Sequence, residues 1–234
     1  MADHLEAPHD WEQLYLARGD EVSDERPVFT GDVYQRAPDQ SGSGPQAFQI
    51  LQHPCALRLN GVDLVPRILA AEVEPASLIA REQWTTGFYK ITPLPSLVQT
   101  GEQVEHRAAR FTELLVVSPE ELAGYTRVAC LAEVGVNLLL QRWVHHNSRV
   151  VVPTYRFAQV TGGPIEEAEL TEEWVRARVS QKMDRVEAVH ECHDFLRGKP
   201  HADAPTRQQA LEDPQRRADV RRAAKDIYRM PRAD

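Results

Sequence analysis

Apolar residues in the first half of the chain fall in short runs punctuated by Gly, Pro and Asn. In the second half they recur every three or four positions. The first pattern predicts strands and turns, the second amphipathic helices. Asp10–Arg18 is predicted as a short helix with Trp11, Leu14 and Tyr15 on one side. Val28–Tyr34 has strand character around a Gly31-Asp32 turn, and Phe48–Gln52 is a strand that stops at Pro54. The loop between them, residues 36–46, is predicted flexible from Pro38, Ser41 to Gly44, and Pro45. Asn60-Gly61 predicts a hairpin turn. After it, Val62–Val73 reads as a bent or edge strand because Pro66 interrupts it. Gly87–Ile91 and Arg107–Val117 complete five or six short strands without a long helix among them. This predicts a small, mainly antiparallel barrel or half-barrel over residues 25–117, not alternating βαβ units.

The pattern changes at Ser118-Pro-Glu-Glu121, a capping box with proline at the first helical position. The stripe from Leu122 through Val136 and Leu139 to Trp143 predicts a helix up to about residue 147, with Gly124 and Gly135 as kink positions. Arg149–Tyr155 is a further strand candidate, and Gly162-Gly-Pro164 predicts a break. Thr171 is expected to cap a long helix lined by Trp174, Val175, Val179 and Met183, which Gly198-Lys-Pro200 ends. Pro214–Met230 predicts a basic amphipathic helix that needs a partner surface to be stable. The organisation expected is an acidic N-terminal helix and linker over 1–24, the barrel over 25–117, a helical region over 118–198 and a basic tail over 199–234.

Charge sharpens this division. The net charge of −8 is concentrated in residues 1–44, with ten acidic and three basic residues, whereas residues 201–234 hold eight basic and six acidic. An acidic body disfavours generic binding to nucleic acid, which needs a concentrated basic face. The tail is the one place where such a face would form, and a protein or nucleic-acid partner is expected through Arg216, Arg217, Arg221, Arg222, Lys225 and Arg229. No run of about 18 apolar residues exists, so no membrane-spanning helix is expected. The acidic start lacks the features of a secretory signal, and three widely spaced cysteines read as reduced thiols, so a cytoplasmic bacterial-type protein is expected.

Candidate chemistry is sparse. His53 and Cys55 flank Pro54 in a turn, where a thiol and an imidazole would make a nucleophile and base or half a metal site. Equally, a lone Cys after a strand packs as a small hydrophobe. His190 and His193 share a helix face at i,i+3, and His145 or His146 would supply a further zinc ligand. Helix-end histidines also serve the helix dipole without metal. Neither phosphate-loop nor nucleophile-elbow spacing occurs, and no cofactor is expected. Arg26, Arg36, Arg58 and Arg67 with Thr30 would line an RNA groove if the barrel brought them together.

The order Gly31-Asp32-Val33, then Phe48 to Cys55, then Asp63-Leu-Val-Pro66 resembles the front half of PemK/MazF-like small-barrel proteins. It is also similar to uncharacterised bacterial proteins associated with phage-defence gene clusters. The resemblance covers about residues 28–70 and implies a barrel. It carries over no catalytic residue. Arg26-Pro27 stands before the first strand where that family has Arg-Pro before the second, and Ala70-Ala71-Glu72 stands where its catalytic Ser or Thr follows the third. The fold class expected is α+β: a small antiparallel SH3-like/PemK-like β-barrel followed by a helical C-terminal half. The function expected is a non-enzymatic interaction or adaptor subunit of a bacterial multi-protein assembly, with anti-phage defence as its setting. The alternatives are a PemK-like endoribonuclease that uses arginines of the barrel, and a zinc-binding protein; the catalytic candidates are His53, Cys55 and Arg58.

Overall fold

Seven strands form one antiparallel sheet in the computed structural model, which describes residues 4–37, 45–100 and 103–230. They are β1 (Tyr15–Arg18), β2 (Val33–Gln35), β3 (Ala47–Ile50), β4 (Ile68–Pro75), β5 (Ile91–Thr100), β6 (Gln103–Val117) and β7 (Thr126–Leu131). Their order, β1-β7-β2-β3-β4-β6-β5, makes a nearly closed barrel. Side chains join the two end strands. The Tyr15 hydroxyl donates to the Pro95 carbonyl at 2.8 Å, and Arg18 Nη1 donates to the Ser96 carbonyl at 2.6 Å. These bonds blunt edges that would otherwise present unpaired backbone. Burial pushes the Tyr15 phenol far above its ordinary pKa, so it stays a donor. The α+β class, with a barrel and a helical half, is as expected.

The chain divides into two compact units. The first comprises Met1–Ser23, Phe29–Leu57 and Leu64–Gln159 and contains the whole sheet. Its core is built from Val33, Phe48, Ile50, Ile68, Ala70 and Ala109, all fully buried. It also holds α1 (Arg81–Thr86), α2 (Pro119–Leu122) and α3 (Glu133–Ser148), the last packed on β5 and β7. The second comprises Asp24–Val28, Arg58–Asp63 and Val160–Asp234. It contains α4 (Thr154–Ser180) from residue 160 onward, α5 (Arg185–Arg197), α6 (Arg207–Ala210) and α7 (Pro214–Tyr228). Leu170, Trp174, Cys192, Leu196, Leu211 and Ala224 form its core.

Several local expectations are corrected. The sheet runs from Tyr15 to Leu131, beyond the expected 25–117 at both ends. Asp10–Arg18 is a 3₁₀ turn followed by β1, because tertiary pairing with β7 overrides helical spacing in so short a segment. The Ser118 capping box is present, with Ser118 Oγ accepting from the Glu121 N–H at 3.2 Å. Yet its helix ends at Leu122, and β7 follows, pairing with both β1 and β2. The strand around Pro66 is central, because Pro66 lies before β4, where no ladder bond is lost. The prolines that do fall in a ladder are Pro75, the last residue of β4, and Pro93 on the end strand β5.

Arg149–Tyr155 is not a strand. Arg149 ends α3 in the left-handed region (φ 60°), and α4 begins at Thr154. Gly162-Gly-Pro164 does not break α4, since both glycines are buried, Gly162 against the Arg217 guanidinium and Gly163 against Glu212. Thr171 lies inside α4, its hydroxyl donating back to the Glu167 carbonyl at 2.8 Å. Asp184 caps α5 instead, accepting from Val186 and Glu187 N–H groups. The flexible loop expected over 36–46 falls largely outside the described residues.

Candidate functional site

The first unit carries two concavities of similar size. One, of about 880 Å³, lies between Arg18 to Glu21 and Ser96 to Gln99. The other, of about 860 Å³ beside the start of β5, combines apolar walls with convergent cations. Its floor is Ala108 of β6, whose small side chain leaves the space open, with Ile91 of β5 alongside. Arg110, two residues along β6, faces the same side. The Ser77 to Ile79 connection after β4 forms one apolar wall, and Phe88 and Tyr89 form the other. Leu78 and Phe88 stand about half exposed at the lip.

The aromatic wall is held from behind. Gly87 to Lys90 link α1 to β5, and Phe88 takes a left-handed backbone conformation (φ 55°), which costs a residue with a Cβ about 1–2 kcal/mol. Arg142 of α3 stabilises it. This guanidinium is fully buried and donates to four carbonyls: Trp84 at 2.9 Å, Ile91 at 2.9 Å, Phe88 at 2.6 Å and Gly87 at 3.3 Å. It also lies over the Trp84 ring at 5.4 Å. Burial pushes its pKa down to about 10, which leaves it charged at neutral pH. His145, one turn further on α3, packs on Tyr89 with ring centroids 4.8 Å apart. Burial, with Arg149 and Arg142 nearby, lowers the His145 pKa and keeps the ring neutral.

The rim is cationic. Lys90, Arg110 and Arg149 line the pocket with Glu74 as counter-charge, and Glu74 is ion-paired to Arg110. Lys90 and Arg149 are exposed and make no ion pair among the described residues. On a chain of net charge −8 this is a local inversion of sign. An apolar, partly aromatic cavity with convergent cations suits a ligand that joins an apolar body to negative charge.

The residues singled out in the sequence lie elsewhere. His53 caps the 3₁₀ turn Pro54–Ala56, its Nδ1 accepting from the Cys55 N–H at 3.3 Å, and burial lowers its pKa. Cys55 is exposed, while Cys130 and Cys192 are buried. Burial pushes the Cys192 thiol up to about 12. Arg58 donates to the carbonyls of Val62 at 2.8 Å and Val28 at 3.0 Å, so it ties the two short segments of the second unit together. Arg26 is buried against Glu172 in the same unit. Arg36, Arg67 and Thr30 belong to the first unit, where Arg36 bonds the Tyr125 hydroxyl and Thr30 the Gln52 carbonyl. These arginines and Thr30 therefore do not line one groove within either unit.

His145 and His146 belong to the first unit and His190 and His193 to the second. Among the described residues no three His, Cys, Asp or Glu side chains are placed to hold a metal ion. The helix of the basic tail, α7, lies against α4 of its own unit. Arg221 reaches Glu166, Glu169 and Glu173 of α4 at 2.8, 2.5 and 2.9 Å, and Arg217 donates to the Leu211 carbonyl at 2.8 Å. Arg216 and Arg222 pair along α7 with Asp213 and Asp219. Lys225 is half-buried and Arg229 exposed.

The pocket residues carried one sequence signal, Arg142 standing in the apolar stripe of α3 three and four residues after Leu139 and Leu138. Nothing in the pattern pointed to Phe88, Lys90, Arg110 or Arg149. No protein-family model matches the chain, and no curated protein matches it. Among the described residues no helix is long and apolar enough to cross a membrane.

Proposed function

We propose that the chain is a non-enzymatic interaction subunit that docks a protein partner through the pocket of its first unit. The observation that carries this reading is the cationic, aromatic rim held rigidly by the buried Arg142 clamp. A backbone preorganised in this way lowers the ordering cost of recognition. Two of the three catalytic candidates make structural contacts, His53 as a cap and Arg58 as a backbone tie, while the third, Cys55, is exposed. The setting we infer is the bacterial cytoplasm, in an assembly of the kind its resemblance to phage-defence-associated proteins suggests.

The test is quantitative affinity capture from cells that carry the neighbouring genes, comparing the wild type with a Lys90→Glu/Arg149→Glu variant. A stoichiometric protein partner retained by the wild type supports the reading, and its loss in the variant assigns the surface. Cleavage of RNA by the purified wild type, abolished by Arg36→Ala, would overturn it in favour of a PemK-like endoribonuclease.

A further inference from the structure

The chemistry of this pocket also specifies what its partner presents. Resting on the interaction reading above, we infer that the pocket takes an acidic peptide segment carrying one bulky apolar side chain. The apolar side chain fills the cavity over Ala108, between Leu78 and Ile79 on one side and Phe88 on the other. Carboxylates before and after it meet Lys90, Arg110 and Arg149 at the rim.

Charge complementarity argues for this occupant. Three cations converge on a mouth that holds one carboxylate, and Lys90 and Arg149 make no ion pair among the described residues. The walls argue for a peptide over a nucleic acid. Stacking platforms for bases present successive aromatic faces along a basic track. Here one exposed aromatic ring, Phe88, shares the lining with aliphatic Leu78 and Ile79 and small Ala108, a lining for a single side chain. A pocket of about 860 Å³ is ample for that side chain together with its flanking backbone.

Glu74 supplies a discriminating feature. It pairs with Arg110 at the rim, both side chains being about half exposed. An acidic peptide must compete with it for the guanidinium. Replacing Glu74 with Gln therefore releases a cation and should tighten binding, which no loss of folding can imitate.

The experiment uses the full chain and fluorescein-labelled Asp-Asp-Leu-Phe-Asp-Asp as probe, read by fluorescence anisotropy. A lysine-flanked Lys-Lys-Leu-Phe-Lys-Lys peptide, an Asp-Asp-Ala-Ala-Asp-Asp peptide and a hexauridylate serve as competitors. The acidic apolar probe should bind in preference to all three. Lys90→Glu/Arg149→Glu should weaken it about tenfold or more, Ala108→Phe should abolish binding, and Glu74→Gln should tighten it about two- to threefold. Raising salt from 50 to 500 mM should weaken the wild type more than the double variant.

Binding of the probe that is unchanged in both Ala108→Phe and the double variant overturns the inference. So does preferential binding of hexauridylate, which would mark a nucleic-acid site. If the affinity capture above loses its partner in the double variant while the probe does not bind, the inference fails and the interaction reading stands. RNA cleavage lost on Arg36→Ala brings down the interaction reading itself.

Discussion

Replacing Arg142 with Met tests the clamp on which the pocket depends. Methionine fills a similar volume and removes all four charge-assisted bonds to the carbonyls of Trp84, Gly87, Phe88 and Ile91. Bonds of this kind contribute about 1.5–3 kcal/mol each. Only the Trp84 bond is fully buried, so the other three carbonyls regain part of their hydration and the low end of that range applies. Against the loss stands the cost of burying the guanidinium, which pushes its pKa down to about 10 and corresponds to about 3 kcal/mol. The net expectation is a destabilisation of about 3 kcal/mol.

Equilibrium unfolding in urea, followed by tryptophan fluorescence, measures this directly. Trp84 stacks near the guanidinium and against Trp11, so it reports the first unit. With a urea dependence of about 2–3 kcal/mol per molar, the midpoint should fall by about 1 M. Amide exchange over residues 86–91 should accelerate by more than global unfolding explains, because the carbonyls that fix Phe88 lose their donor. A midpoint shift below about 0.3 M would refute the energetic reasoning. A large shift with unchanged local exchange would refute the claim that Arg142 shapes the pocket wall. Arg142→Lys should recover only part of the loss, since an ammonium cannot reach four divergent carbonyls from one point.

Gly135→Ala should destabilise by about 2–3 kcal/mol although alanine is the better helix former by about 1 kcal/mol, because an added Cβ would stand 2.3 Å from the Leu14 carbonyl oxygen. A rise in melting temperature would contradict that. Glu167→Gln should stabilise the chain at neutral pH and not at low pH. Burial raises the Glu167 pKa, with the Gln208 bond opposing, so the folded state holds the proton that the unfolded state has already released and stability falls as pH rises through that window. Urea midpoints of both proteins at pH 4 and pH 7 give the sign, and equal differences at the two values would sink the argument. Arg221→Ala leaves Glu166, Glu169 and Glu173 facing one another along α4 and should cost about 1–2 kcal/mol, less in 1 M salt. A loss that does not shrink with salt would show the contribution to be packing, not charge.

The class of the fold was legible because its signals are local. Short apolar runs with Gly and Pro punctuation marked the strands, and the Ser118 capping box and the Gly198 stop appear where the pattern put them. What was illegible depends on pairing at a distance. Tyr15–Arg18 and Thr126–Leu131 are too short to show a period, and they are strands because they pair with each other. Gly162-Gly-Pro164 reads as a break from composition alone. The absence of side chains at both glycines is what lets Arg217 and Glu212 lie against α4. The pocket was invisible for the same reason. Phe88, Ala108 and Arg149 are separated by up to 61 positions and belong to a connection, a strand and a helix end, and no local spacing unites them.

The arginines show how the site and the scaffold differ in kind. Arg26, Arg127 and Arg178 are buried or nearly so against Glu172, Asp32 and Glu191, and Arg221 lies across three glutamates. For Arg127, burial opposes the cation, but Asp32, Tyr34 and Cys130 together outweigh that cost, so its pKa rises. In each pair the positive charge is cancelled where it stands and projects little field into solvent. Arg142 lacks a carboxylate partner, yet its charge is directed at four carbonyl dipoles inside the fold. The tail arginines, which composition marks as the basic face of the chain, are largely drawn into this internal pairing. Lys90 and Arg149 are not, and with Arg110 they stand around an open apolar cavity. Lys90 and Arg149 thus remain able to meet an acidic partner at the cavity, and charge reversal there should weaken recognition more than reversal at Arg216 or Arg222, which already pair with Asp213 and Asp219.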